Sequence, residues 1–184
     1  MPISLNFRDY TSSFEAAPAG VYRAVVEGVE LRKNKADTAD YLNITYKLLN
    51  ESVEGKLVWD MCSFSENALF QVVRLLKNYE IPYKETGLQF EMSDENGIRE
   101  YSGIRLSTED NERGNKDFLG FVTDDGVLHP LTGAVVEVVL DTTEYNGQTK
   151  NVVSDVQLVT PAKGQAGLPQ NANSGRSGGT PSFV

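Results

Sequence analysis

From Tyr41 to Leu49 the chain alternates without a break. Leu42, Ile44, Tyr46 and Leu48 fall on one side, and Tyr41, Asn43, Thr45 and Lys47 on the other. That period of two is what a β-strand turns into one apolar and one polar face. Such a strand has to bury its apolar side against other elements, while its polar side stays open to solvent or ligand.

The flanking segments supply the partners. Val21 to Leu31 is rich in β-branched and aromatic residues and reads as a first long strand, with Gly28 inside it marking a bulge or sharp bend. Asn34 to Asp40 is a polar turn, Asn50 to Gly55 turns the chain again, and Lys56 to Phe64 supplies a third strand. The period then changes. Ala68, Leu69, Val72, Val73, Leu75 and Leu76 follow at helical spacing, and Ser63 stands three residues before Glu66 in a capping-box pattern. A helix is predicted from about Glu66 to about Asn78, ending before Pro82. Gly133 to Thr142 and Lys150 to Val159 read as two further strands. Asn146-Gly147 between them suits the positive φ angles of a two-residue hairpin turn.

Between helix and hairpin lies the stretch 86–130. Its strand-like pieces at Gly87 to Met92, Gly103 to Ser107 and Phe118 to Thr123 alternate with polar turns at 94–97 and 124–126, as expected of an acidic, hairpin-bearing insertion. The order strand, strand, strand, helix, insertion, strand, strand predicts a mainly β fold. It is a five-stranded OB-type barrel with one helix between strands 3 and 4, occupying residues 1–160. Residues 161–184 are dominated by Gly, Ser, Pro, Asn and Gln. They cannot bury enough surface to offset ordering entropy, so a disordered tail is expected.

Composition narrows the chemistry. An apolar content of 40% suits one ordinary core. Cys62 and His129 are the only residues of their types, so no internal disulfide can form and a structural zinc site lacks ligands. No cofactor and no metal are expected. Glu109-Asp110-Asn111-Glu112 lacks the glycine and ligand spacing of a calcium loop and reads as a solvated acidic loop. There is no phosphate-cradling glycine loop and no partner set for nucleophilic attack, so the expectation is a non-enzyme. Met1 to Tyr10 lacks the basic start and apolar run of a secretory signal, and Ala134 to Leu140 is too short to span a bilayer and is broken by Glu137. A soluble intracellular protein with no membrane partner is expected. The net charge of −9 argues against nucleic acid at first sight. The segment from Glu91 to Asp125 alone contributes −6 of it, from ten acidic and four basic residues, and phosphate contact needs only a local basic groove.

Several stretches, taken in order, resemble phage single-stranded DNA-binding proteins, long catalogued as of unknown function. Leu5-Asn6-Phe7 precedes Pro18-Ala19-Gly20-Val21-Tyr22, which looks like that family's entry to its first strand. Glu30 to Lys35 leads into Tyr41-Leu42-Asn43-Ile44-Thr45-Tyr46, and Gly55-Lys56-Leu57-Val58-Trp59-Asp60 precedes the helix. Leu131 to Val136 and Tyr145-Asn146-Gly147-Gln148 resemble its closing hairpin. The resemblance implies an OB fold, sequence-tolerant single-strand binding, a role in phage replication or recombination, and the host cytoplasm as location. Two departures stand out. The stretch 86–130 is longer than the family's usual link. The tail lacks the acidic run that bacterial single-strand binders place before a terminal Pro-Phe.

Binding a single strand without reading it needs aromatic faces for bases and cations along the backbone. An OB barrel presents its second and third strands and their flanking loops. The candidates on that basis are Arg32, Lys33 and Lys35 in the first loop, Tyr41, Asn43 and Lys47 on the second strand, Lys56 and Trp59 on the third, and Tyr145 and Lys150 at the closing hairpin. Each has a plainer reading. The three loop cations could be a solvated turn, Tyr41 a barrel cap and Tyr145 a turn flank. Trp59 is open between core, in the set Leu57, Trp59, Met61, and an outward stacking position. Tyr22 and Tyr46 share faces with apolar residues and read as core. Phe183 is a weak candidate anchor for a phage or host replication or recombination protein docking on the tail. A homo-oligomer is compatible with the sequence. Two other functions fit the composition: an acidic protein-interaction module that mimics DNA or inhibits a host protein, and a virion structural barrel.

Overall fold

A computed structural model describes residues 15–83, 90–91, 99–101 and 104–162. The expected lead-in at Leu5 to Phe7, the turn at 94–97, and the tail from 163 onward with Phe183 lie outside the described residues. Among those described, the chain is mainly β, with one α-helix and one antiparallel sheet of ten strands. In chain order these are β1 (Gly20–Lys33), β2 (Asp40–Leu48), β3 (Leu57–Ser63), α1 (Leu69–Asn78), β4 (Phe90–Glu91), β5 (Arg99–Tyr101), β6 (Ile104–Asp110), β7 (Lys116–Val122), β8 (Leu128–His129), β9 (Val135–Tyr145) and β10 (Gln148–Thr160).

The expected five strands correspond to β1, β2, β3, β9 and β10. The strand count was too low because β4 to β8, all within 86–130, join the same sheet. Closure also differs from expectation. The ladders run β3–β2–β1–β9–β10, and β3 approaches β10 without a hydrogen-bonded ladder joining them, so the sheet is open at that seam. Helix α1 packs against both β3 and β10, covering the place where the two edges meet.

β1 organises the sheet. One edge pairs with β2 from Ala24 to Lys33. The opposite edge is shared: Gly20 to Val25 pair with β9, and Glu30 and Leu31 pair with β7. The register along β2 shifts between Val26 and Gly28, the bulge that Gly28 suggested. Such a kink bends the strand, so its two halves can serve two different neighbours. The alternation in β2 holds throughout, with Leu42, Ile44, Tyr46 and Leu48 buried and the intervening residues outward. Their core partners include Val26, Val58, Leu76, Val136, Val138 and Leu140. Tyr46 is fully buried, and its hydroxyl lies 2.9 Å from that of Tyr79, which satisfies both polar groups inside the core. Tyr22 is half-buried and packs on the core edge.

The helix begins later than its sequence pattern indicated. Glu66–Ala68 form a 3-10 turn and the α-helix starts at Leu69. The capping box does not form, because Ser63 is held in β3 opposite Tyr41. Instead the Ser63 hydroxyl accepts from the Ser65 amide, and the Ser63 amide donates to Gln71 Oε1 at 2.9 Å. At the far end the Ile81 amide reaches back to the Leu76 carbonyl at 2.8 Å, with Glu80 in the left-handed region at φ 56°, so the last carbonyls are paired before Pro82. No helix among the described residues is long and apolar enough to cross a membrane.

Candidate functional site

The β2–β3 register sets the outer face of the sheet. Tyr41 stands opposite Ser63, Asn43 opposite Met61, Thr45 opposite Trp59 and Lys47 opposite Leu57. In β3 the inward residues are Val58, Asp60 and Cys62, so the set Leu57, Trp59, Met61 points away from the core. Trp59 is 54% exposed and Met61 59%. This resolves the ambiguity that the sequence left at Trp59. Three apolar residues at alternate positions do mark one face of a strand, but here that face is the outer one. The core side carries a carboxyl and a thiol in their place. Burial raises the Asp60 carboxyl above its usual range, and burial together with Asp60 pushes the Cys62 thiol up to about 12.

The outward positions of these two strands hold Tyr41, Asn43, Thr45, Lys47, Leu57, Trp59, Met61 and Ser63, and no carboxylate. At a strand rise of about 3.3 Å per residue, Tyr41 to Lys47 spans about 20 Å. The two ends of this face are distinct. The β1–β2 turn lies at the Tyr41 end, where Arg32 pairs with Tyr41 and Lys33 with Asp40. At the other end the β9–β10 hairpin rises. Beyond Leu140, which pairs with Gly20, these two strands pair only with each other among the described residues and form a solvent-exposed finger. Asn146 and Gly147 at its tip have φ of 51° and 75°, as the two-residue turn requires.

A groove of ≈ 570 Å³ runs along β1 beside this face. Thr45, Asn43 and Trp59 line one side, and residues of the β6–β7 hairpin line the other. At its floor is Glu30, an outward residue of β1 that is nonetheless only 6% exposed, because the β6–β7 turn covers it. Arg32 donates to Glu30 through Nε at 2.5 Å, and Arg113 through Nε at 2.9 Å and Nη2 at 2.5 Å. Asn111 and Asn115 add amide donors at 3.0 and 3.1 Å. Burial opposes ionisation of Glu30, but the hydrogen bonds from the two guanidiniums outweigh it and hold the carboxyl below its ordinary value. Arg32 is correspondingly raised, by its hydrogen bond to Glu30 first and by its contact with Tyr41 as well.

The β6–β7 turn is built to hold this arrangement. The Asn111 side chain accepts from the amides of Arg113 and Asn115, both at 3.0 Å, and Gly114 takes φ 78°. A side chain that mimics a turn's backbone, followed by a residue free to adopt positive φ, gives a well-defined loop. Arg113 and Glu30 therefore belong to the site although neither was among the candidate residues. The local signal was Asn111-Glu112-Arg113-Gly114-Asn115, a turn pattern, but nothing in it indicates that the turn docks on β1.

Of the candidates, Arg32, Tyr41, Asn43, Lys47 and Trp59 fall on one continuous face. Lys33 lies at the end of that face and pairs with Asp37 at 3.1 Å, so part of its charge is already compensated. Lys35 is exposed in the same turn. Lys56 precedes β3, and its ammonium donates to the Glu15 carbonyl at 2.7 Å, which ties it to the N-terminal segment. Tyr145 and Lys150 sit on the finger, where the Lys150 ammonium lies 5.1 Å from the Tyr145 ring centroid. They contact each other and do not line the groove.

Residues 7–79 are similar to a family described as a protein of unknown function (DUF669). The matched span takes in β1, β2, β3 and α1, hence the outer face just described, and ends before the β6–β7 hairpin and the finger. No curated protein matches the chain.

Proposed function

We propose that this protein binds single-stranded DNA without reading its sequence, on the outer face of β2 and β3, and serves phage replication or recombination. On this reading β1, β2, β3, β9 and β10 are the core of an OB-type barrel with α1 between its third and fourth strands. The turn at 34–39 and the β9–β10 finger bound the strand path at either end. The observation that carries the proposal is the make-up of that face. In a chain of net charge −9, two adjacent strands turn Trp59, Tyr41, Met61 and Lys47 toward solvent and no carboxylate. Base stacking on such rings contributes roughly 1–3 kcal/mol per base and is indifferent to base identity.

Trp59 is the sole tryptophan, so intrinsic fluorescence reports on this face. Titration with an oligothymidine at low salt is expected to quench it, and affinity is expected to fall as salt rises. A folded sample whose emission and mobility stay unchanged at low salt would defeat the proposal. Glu27, Glu109 and Asp117 on the groove walls favour a second reading, an acidic surface for a basic protein partner. Capture of such a partner unaffected by Trp59→Ala, together with silence toward oligothymidine, would support that reading.

A further inference from the structure

We infer that Arg32 and Arg113, braced by the carboxylate of Glu30 between them, form a two-guanidinium clip for a backbone phosphodiester. The hairpin of the acidic stretch 86–130 is then part of the nucleic-acid site. This inference rests on the single-strand reading above and assigns a role to a residue outside β1, β2 and β3.

Geometry and donor counting carry it. A guanidinium has five N–H donors in a fixed fork. Arg32 spends Nε on Glu30, and Arg113 spends Nε and one Nη2 direction on the same carboxylate. Arg32 also contacts Tyr41, and beyond these contacts the terminal nitrogens of Arg32 and the Nη1 of Arg113 make no hydrogen bond to a carboxylate among the described residues. The side chains are 38% and 65% exposed, at the groove that Asn43, Thr45 and Trp59 also line. Glu30 is buried and carries four donor side chains, so it acts as a brace. It fixes the direction of both forks in advance, and the side-chain entropy of two long arginines is largely spent before a ligand arrives. Asn111 and Asn115 complete the brace and lock the turn that carries Arg113. The clip and Trp59 flank β2: Arg32 and Glu30 are on β1 opposite Tyr41 and Asn43, Trp59 is on β3 opposite Thr45, and Trp59, Arg32 and Arg113 line the same groove. A chain stacking a base on Trp59 would thus lay its backbone toward the two arginines. Glu109 and Asp117 stand at the outer wall, and Arg113 Nη2 is 3.6 Å from Asp117, so a phosphate reaches the forks against these carboxylates and has to displace the Asp117 contact with its own hydrogen bonds.

The test compares native protein, Arg113→Ala and Arg113→Lys on an oligothymidine across a salt series, with circular dichroism to verify folding. The expected result is weaker binding by Arg113→Ala and a salt slope shallower by about 0.7, the contribution of one phosphate on a single strand. Arg113→Lys should recover the slope without recovering full affinity, because a lysine keeps the charge and loses the fork. Native protein that binds while both variants match it in affinity and slope overturns the clip and leaves the single-strand reading standing. Native protein that does not bind overturns both. If Arg113→Ala fails to fold, Arg113→Lys decides alone: reduced affinity at native slope supports the clip, and native affinity overturns it.

Discussion

Arg113 donates through Nε to Glu30 at 2.9 Å, a contact that joins positions 83 residues apart and fastens the β6–β7 turn onto β1. It makes one wall of the groove and the floor of the groove a single unit, so stability and ligand contact share residues there.

That contact gives a pH-dependent stability with a defined sign. The folded state holds the Glu30 carboxyl below its ordinary value of 4.5, so its contribution is fully present above that value and is lost as pH falls through the lowered one. Glu30→Gln should cost about 1.5–3 kcal/mol at pH 7, the scale of hydrogen bonds to a charged group. The gap to native protein should narrow in acid. Urea unfolding at pH 7 and below pH 4 measures both, and a gap that does not narrow would show that shape, and not charge, is what Glu30 supplies.

Asp60 works in the opposite direction. Burial raises its carboxyl above 3.8, so the folded chain holds that proton more tightly than the unfolded one, and stability declines as pH climbs from 3.8 through the raised value. Asp60→Asn is expected to be more stable than native protein at neutral pH, with the advantage fading below about pH 3.8. Equal unfolding midpoints at pH 7 would contradict this.

Trp59 stands more than half exposed on the outer face, so its removal should touch binding and leave folding alone. Trp59→Ala is expected to lose roughly 1–3 kcal/mol of oligothymidine affinity, read by anisotropy of a labelled oligomer because the intrinsic reporter is gone. The melting temperature should stay within about a degree, since the lost burial is small. A large drop in melting temperature would mark Trp59 as structural.

In the core, the Tyr46 and Tyr79 hydroxyls meet at 2.9 Å in a fully buried setting. Tyr46→Phe strands the Tyr79 hydroxyl and should cost about 1–3 kcal/mol, while Tyr46→Phe with Tyr79→Phe should recover much of that, because no polar group is then left unpaired. A double-mutant cycle in guanidinium measures it; simple additivity would argue that the pair does not interact.

Gly120 is fixed by a close approach. A Cβ there would lie 2.8 Å from the backbone oxygen of His129, where β7 passes β8. Gly120→Ala is expected to destabilise by more than 1 kcal/mol, and an unchanged unfolding midpoint would show that β8 moves aside at no cost.

The elements were legible where a periodic pattern and a packing demand coincide. β2 follows its alternation residue by residue, the bulge falls at Gly28, and the two-residue turn falls at Asn146-Gly147. The reading was weaker where one pattern serves two outcomes. Leu57, Trp59 and Met61 mark one face of β3, but only the neighbours of that face decide whether it is inside. Ser63 and Glu66 have capping-box spacing, yet pairing with Tyr41 keeps Ser63 extended.

For this chain, local pattern alone settled β1, β2, β3, β9 and β10, the body of the helix and the reversal at Asn146-Gly147, since backbone preference and side-chain period act over a few residues. What the tertiary structure decided was the sharing of one edge of β1 between β9 and β7, the seam between β3 and β10, and the meeting of Arg32, Glu30 and Arg113. Those depend on contacts between positions far apart in the chain. A buried carboxylate collects its donors by where the strands place them, and no short-range regularity in the residues encodes that placement.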